Sequence, residues 1–253
     1  METYNNLCAQ YYDIDKPTAP HDALNFYLEY AKNANGPIFE PMCGTGRFLI
    51  PMLERGFDIE GSDASTHMLS ICKEKCAAKG LKAKLHQQFL NEIAFDKKFG
   101  LIFIPSGSFG LLTDIAEAKF CLKKLYDHLL PNGKLLFEVE TIHAVPHTLG
   151  QHRQQSVPTK HNNEKIVLDT VSSYDNKSQI FKTICRYDLM LNNKIILTEV
   201  ENFCVRYYQD DEMDKWLPEA GFQMFSRYKA FDHTPPDDTD EIIIYECIKN
   251  PLT

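Results

Sequence analysis

The sequence predicts a doubly wound α/β fold. Its sheet is mostly parallel and seven-stranded, with an antiparallel β insertion after the fifth strand. Three observations point there. Five short apolar strands alternate with helical patterns up to residue 140, an order that requires parallel strands with crossover helices. Beyond residue 142 the pattern changes to strand-like runs joined by short turns. The chain has 253 residues, of which 43% are hydrophobic and 11% aromatic, enough for a packed core and too apolar for a disordered chain.

Residues 1–15 carry Tyr4, Tyr11 and Tyr12 with little periodicity and read as an N-terminal arm. Residues 21–34 place Leu24, Tyr27, Leu28 and Ala31 at helical spacing, and Gly36-Pro37 stops that helix. Residues 37–41 form the first strand and run into a glycine turn. The next helix, 46–55, contains Pro51, so it starts late or kinks. Strand two covers 57–62, and the helix at 65–79 presents Met68, Leu69, Cys72 and Cys76 on one face. Strand three is 81–86 and strand four, Leu101–Pro105, is a continuous apolar run of the buried parallel kind. Asp114 caps an amphipathic helix over 114–130, and strand five follows at 134–139. Residues 143–165 read as a polar loop. Three meander strands follow, at 166–174, 179–191 and 194–208, with Asn192-Asn193 at a tight turn because Asn tolerates positive φ. A helix over 210–220 ends at Gly221, and strands near 222–231 and 241–248 close the chain. The resulting division is an arm and α/β core over 1–142, an antiparallel lid over 143–209, and a closing helix and hairpin over 210–253.

The formal net charge is −8 and no Lys/Arg run stands out, which argues against a nucleic-acid partner. The polar, acidic first residues lack a signal-peptide pattern, and no apolar run approaches the ~20 residues that span a bilayer. A soluble cytoplasmic protein is expected, with no membrane partner and an oligomeric state that the sequence leaves open. The eight cysteines show no paired spacing, and Cys72 and Cys76 lack companions to complete a zinc site. Buried free thiols and no metal are expected.

The richest stretch is Glu40-Pro41-Met42-Cys43-Gly44-Thr45-Gly46-Arg47, where a strand meets a helix. Glycines there let backbone approach a ligand that a Cβ would exclude. Asp63 ends the second strand, where an acid can accept both hydroxyls of a ribose. A dinucleotide fingerprint would continue to a third glycine, but that place holds Leu49. Glu40 ahead of the turn would repel a pyrophosphate and attract a cation. The charge pattern therefore favours S-adenosylmethionine over NAD.

These residues resemble the class I S-adenosylmethionine-dependent methyltransferases, of the small-molecule type with an antiparallel insertion on a Rossmann-like frame. PIFEPMCGTGRF looks like that family's first motif, GSDAS-x-x-ML its second, and LPNGKLLFE its fifth-strand motif. The resemblance implies a cofactor site made by Glu40, Met42, Gly44, Gly46, Arg47, Asp63, Ala64, Met68, Gln88 and Phe89. It also implies a main-chain contact near Pro105. The chain departs from the pattern at Met42 and Asn132, where the family often has Gly. It departs again at Gly100, where Asp is common, and at Gln88, where an acid contacts adenine.

Methyl transfer from a sulfonium is an in-line displacement, so alignment and proton removal are what the protein supplies. Tyr4, Tyr11 and Tyr12 on the arm are expected to close over the donor, as the resemblance implies, and His143, after strand five, is the candidate base because a histidine pKa lies near neutrality. Glu140 lies in the same stretch as His143, and Ser106 and Ser108 follow strand four. Arg206, on a polar strand face with Thr198, Asn202 and Tyr208, and Ser108 are the candidate acceptor contacts. The expected function is methylation of a small molecule on N or O. The alternatives are an NAD(P)-dependent oxidoreductase and a non-catalytic S-adenosylmethionine-binding protein.

Overall fold

The computed structural model describes residues 4–251. Its first half builds a sheet from β1 (Ile38–Pro41), β2 (Ile59–Asp63), β3 (Lys84–Gln87), β4 (Phe99–Ile104) and β5 (Leu129–Glu140). The last two strands, β10 (Met224–Tyr228) and β11 (Ile242–Ile248), complete it in the order β10-β11-β5-β4-β1-β2-β3. The first five strands pair in parallel, and β11 runs antiparallel to both neighbours. β1 lies between β2 and β4, so the chain leaves it to one side and later returns to the other. That reversal opens a crevice at the carboxyl ends of the strands.

Helices α2 (His21–Lys32), α3 (Leu49–Glu54) and α4 (Thr66–Ala78) cover one face. Helices α5 (Ile115–Asp127) and α6 (Glu212–Ala220) cover the other. Burial on both faces explains why β4 is a continuous apolar run and why every residue of β1, Glu40 included, is buried. The Asp114 side chain accepts from the Glu117 amide, and Gly221 closes α6 at φ 115°. Pro51 sits in the first turn of α3, where its missing N–H costs nothing, so that helix starts late and runs straight through it.

The second sheet has four antiparallel strands, β6 (His152–Pro158), β7 (Glu164–Asp175), β8 (Ile180–Leu191) and β9 (Lys194–Arg206). Asn192 and Asn193 turn its last hairpin at φ 50° and 62°. The stretch 143–165 is thus not all loop. β6 is an edge strand whose side chains face solvent except at Val157, so it carries no apolar alternation to read.

The N-terminal arm differs as well. It contains helix α1 (Asn6–Asp15), which buries Leu7, Cys8 and Tyr11 against Val157, Ile166, Cys185 and Tyr187 of the second sheet. Asn5 provides no side-chain cap. Carboxylates of β9 take that role: Glu201 accepts from the Tyr4 and Asn5 amides at 2.9 and 2.6 Å, and Glu199 from the Leu7 amide at 2.8 Å.

Candidate active site

A cleft of about 280 Å³ opens at the switch point. Its floor is the turn after β1. The Cys43 amide donates to the Ser62 carbonyl and the Gly46 amide to the Cys43 carbonyl, which pins the turn to β2. Gly44, at φ 54°, has open space where a side chain would project, so bare backbone faces the cleft. Gly46 has a different duty. A Cβ there would fall 2.7 Å from Cys72 Sγ, so the turn can pack on α4 only without one.

Asp63 ends β2 and lines the cleft. One carboxyl oxygen accepts from the Gly44 amide at 2.9 Å and the other from the Ser65 amide at 2.8 Å. Burial pushes its pKa up, while those amide bonds hold it down. Lone pairs remain for further donors. The Ser65 hydroxyl caps α4 by accepting from the Met68 amide, and it donates to the Tyr4 carbonyl, tying the arm to this wall.

Nine predicted residues meet here: Tyr12, Met42, Gly44, Asp63, Ala64, Met68, Gln88, Phe89 and Ser108. Phe89 is 41% exposed, an uncovered ring at the rim. The Gln88 amide nitrogen is buried and has no partner. Tyr12 accepts from Arg47 Nη1 at 2.8 Å and packs edge-on against Tyr4, which also lines the cleft.

Four predicted cofactor residues stand behind this lining. Glu40 is 1% exposed, with one carboxyl oxygen lacking any partner. Burial and the neighbouring Asp63 push its pKa well up, against the pull of Arg47 and the Leu49 amide. Gly46 packs against α4, and Arg47 is held by Tyr12 and the Thr18 carbonyl. Pro105 is buried, and its carbonyl accepts from the Ser108 hydroxyl at 3.0 Å.

Two predicted residues are placed apart from this lining. Arg206 does not line the cleft. Its guanidinium is buried, ion-paired to Glu212 at 2.6 Å, and donates to the Ser178 carbonyl and the Gln179 side chain. A strand-end arginine beside α6 finds an internal anion before any ligand arrives. His143 sits in a short 3-10 turn outside the cleft, 3.2 Å from Asp210. Its ring is turned toward the α6 side, leaving β5 to present other groups.

Sequence reasoning missed Thr113, Glu117 and Cys204 as lining residues, whereas Tyr4 of the arm lines the cleft beside Tyr12. Asn202, noticed only as part of a polar strand face, lines the cleft too. The alternation that puts Asn202 and Cys204 on one face of β9 was readable, but which face met the core was not.

Residues 38–133 match the family model described as a methyltransferase domain. A protein of Geobacillus sp. (strain WCH70) designated a putative methyltransferase is 25% identical, covering 98% of this chain and all of that one. A crystal structure of an S-adenosylmethionine-dependent methyltransferase from Clostridium acetobutylicum superposes with a TM-score of 0.78 at 17% identity, covering 95% of this chain and 96% of the other. A sugar N-methyltransferase from Streptoalloteichus sp. gives 0.75 at 14% identity, covering 99% and 97%. At these identities the structural likeness establishes the class I fold.

Proposed function

We infer that the chain is an enzyme that transfers a methyl group from S-adenosylmethionine to a small-molecule acceptor. The observation that carries this is the pairing of Gly44 and Asp63, bare backbone and an oriented carboxylate at the switch point of a methyltransferase fold. The dinucleotide alternative loses ground because Leu49, at the third-glycine position, is fully buried in α3.

The residues present suit the donor. Asp63 offers a ribose its free lone pairs, and Gly44 leaves room for the amino-acid end. The unpartnered Gln88 amide and the uncovered Phe89 ring offer a polar edge and an apolar face to a base. The lone oxygen of Glu40, beneath the turn, is an unsatisfied acceptor, and a cation nearby would favour its ionised form against burial. When bound, S-adenosylmethionine supplies a methyl on a positively charged sulfur, already a good leaving group. Tyr4 and Tyr12 cover the cleft and exclude water, and Ser108 and Asn202 give its acceptor side polar groups.

The acceptor is proposed to be an amine-bearing small molecule of the sugar type. Support comes from the similarity in fold to the sugar N-methyltransferase, which spans 99% of this chain. The acidic balance speaks for such a substrate over nucleic acid, and a cytoplasmic location is proposed with that reading. Among the described residues no helix is long and apolar enough to cross a membrane.

Calorimetry tests the reading. S-adenosylmethionine and S-adenosylhomocysteine should bind and NAD(P)H should not, and amino-sugar acceptors should then elicit release of S-adenosylhomocysteine. Binding of NAD(P)H without either adenosyl ligand would reject it.

A further inference from the structure

β5 ends in two carboxylates on one face, and they are treated differently. Glu138 is committed: it accepts from the Tyr27 hydroxyl at 2.7 Å and from the Ser106 amide. Glu140, two residues on, is not. One of its oxygens is buried with no hydrogen-bond partner. The carboxyl lies against Gly107, where an added Cβ would fall 2.6 Å from Oε1 and 2.7 Å from Oε2. Gly107 has φ 67° and Ser106 before it φ 61°, so the chain turns sharply here without a side chain in the way. Ser106 is exposed and Ser108, two residues on, lines the cleft, so Glu140 stands just outside that lining, behind the turn at Gly107.

We propose that Glu140 is the acceptor-side carboxylate, which receives the hydrogen of the nucleophile and takes its proton. This rests on the methyltransferase reading. The proton on the acceptor nitrogen passes to the Glu140 carboxylate; the freed pair forms the bond to the methyl carbon, and the carbon–sulfur pair stays on sulfur. The charged and titratable groups facing Glu140 are Glu138 on β5, Lys16 after α1, and Tyr207 and Tyr208 after β9. Burial, with Glu138 adding to it against Lys16 and the Glu140 amide, pushes the carboxyl to about 7. It therefore exchanges a proton in the neutral range.

Sinefungin probes this directly. It carries an amino group where the donor has its methylated sulfur, and S-adenosylhomocysteine carries nothing there. The preference for sinefungin, as the ratio of the two dissociation constants, should rise about tenfold from about pH 5.5 to about pH 8 as Glu140 ionises. In Glu140→Gln the ratio should be flat with pH, with the affinity for S-adenosylhomocysteine within about twofold of wild type. Glu140→Asp should restore part of the slope. Should Glu140→Gln not fold, the wild-type slope decides alone. A ratio that ignores pH in the wild type, or keeps its slope in Glu140→Gln, overturns the assignment and leaves the methyltransferase reading standing. Failure of the wild type to bind either ligand overturns that reading, and the assignment with it.

Discussion

Asp63 is oriented before any ligand arrives, because the Gly44 and Ser65 amides hold one oxygen each. Replacing it by Ala removes both the proposed ribose acceptor and the partner of two amides. Asp63→Ala should weaken S-adenosylhomocysteine binding by about 1–3 kcal/mol, measured by calorimetry. Unchanged affinity would remove Asp63 from the cofactor site. Gly100 allows a second prediction at this scale. A Cβ there would sit 2.4 Å from the Gly36 amide nitrogen and 2.7 Å from Asn35 Oδ1. Gly100→Ala should therefore cost about 1–3 kcal/mol in denaturant unfolding, since backbone cannot yield as a side chain can. The same clash explains why no Asp stands at this strand start. The other departures from the family pattern also have local causes. Met42 and Asn132 both adopt positive φ, 58° and 60°, so the conformation that favours glycine persists where the glycine does not. Motif residues such as Asp63 and Gly44 were legible because their chemistry is local. Arg206 and His143 were not, because each is claimed by a carboxylate: Glu212, six residues on at the start of α6, and Asp210, which only the folded chain brings near His143.

Among the elements, α1 shows what a sequence hides. Leu7, Cys8 and Tyr11 share one helix face, but that stripe spans little more than one turn, and the amide caps come from Glu199 and Glu201, nearly two hundred residues away. The alternation of β7 to β9 and the apolar core strands were legible, because each carries its own period. β6 was not, because an exposed edge strand with one buried residue has no period to show. α1 is both support and cover: it completes the small core of the second sheet, and Tyr4 and Tyr12 reach the cleft from either end of it. Removing residues 1–15 should thus lower the melting temperature as well as turnover, since Val157, Ile166 and Tyr187 lose their apolar partners. The subtler variant Glu199→Ala/Glu201→Ala should cost about 1–3 kcal/mol, for buried amides left unpaired, and should weaken S-adenosylhomocysteine binding. Full stability after the truncation would mean that the arm is only a lid.

Across the whole molecule, the two sheets and the crevice between them gather carboxyls whose pKa values burial raises: Glu40, Asp63, Glu138 and Glu140. A folded protein that holds protons more tightly than its unfolded chain loses stability as pH rises between the two pKa values. For Glu140 that window runs from the unfolded value, about 4.3, to about 7. The full loss across it is on the order of 3 kcal/mol, with relaxation of the turn making the real figure smaller. Glu246 acts in the opposite sense. Burial raises it, but Lys134, Tyr30 and Tyr228 together bring it below the usual range. Its stabilisation is present above the unfolded value and lost as acid protonates it. The melting temperature of the unliganded protein should consequently peak in mild acid and decline toward pH 8. Glu140→Gln, which has no proton to lose, should flatten that decline. Binding reverses the balance, because a sulfonium placed among these acids favours their ionised forms. The extra thermal stabilisation given by S-adenosylmethionine over uncharged S-adenosylhomocysteine should grow as pH rises through neutrality, when both are compared at equal saturation. A constant difference across that range would mean that the gathered acids do not sense the charge of the donor.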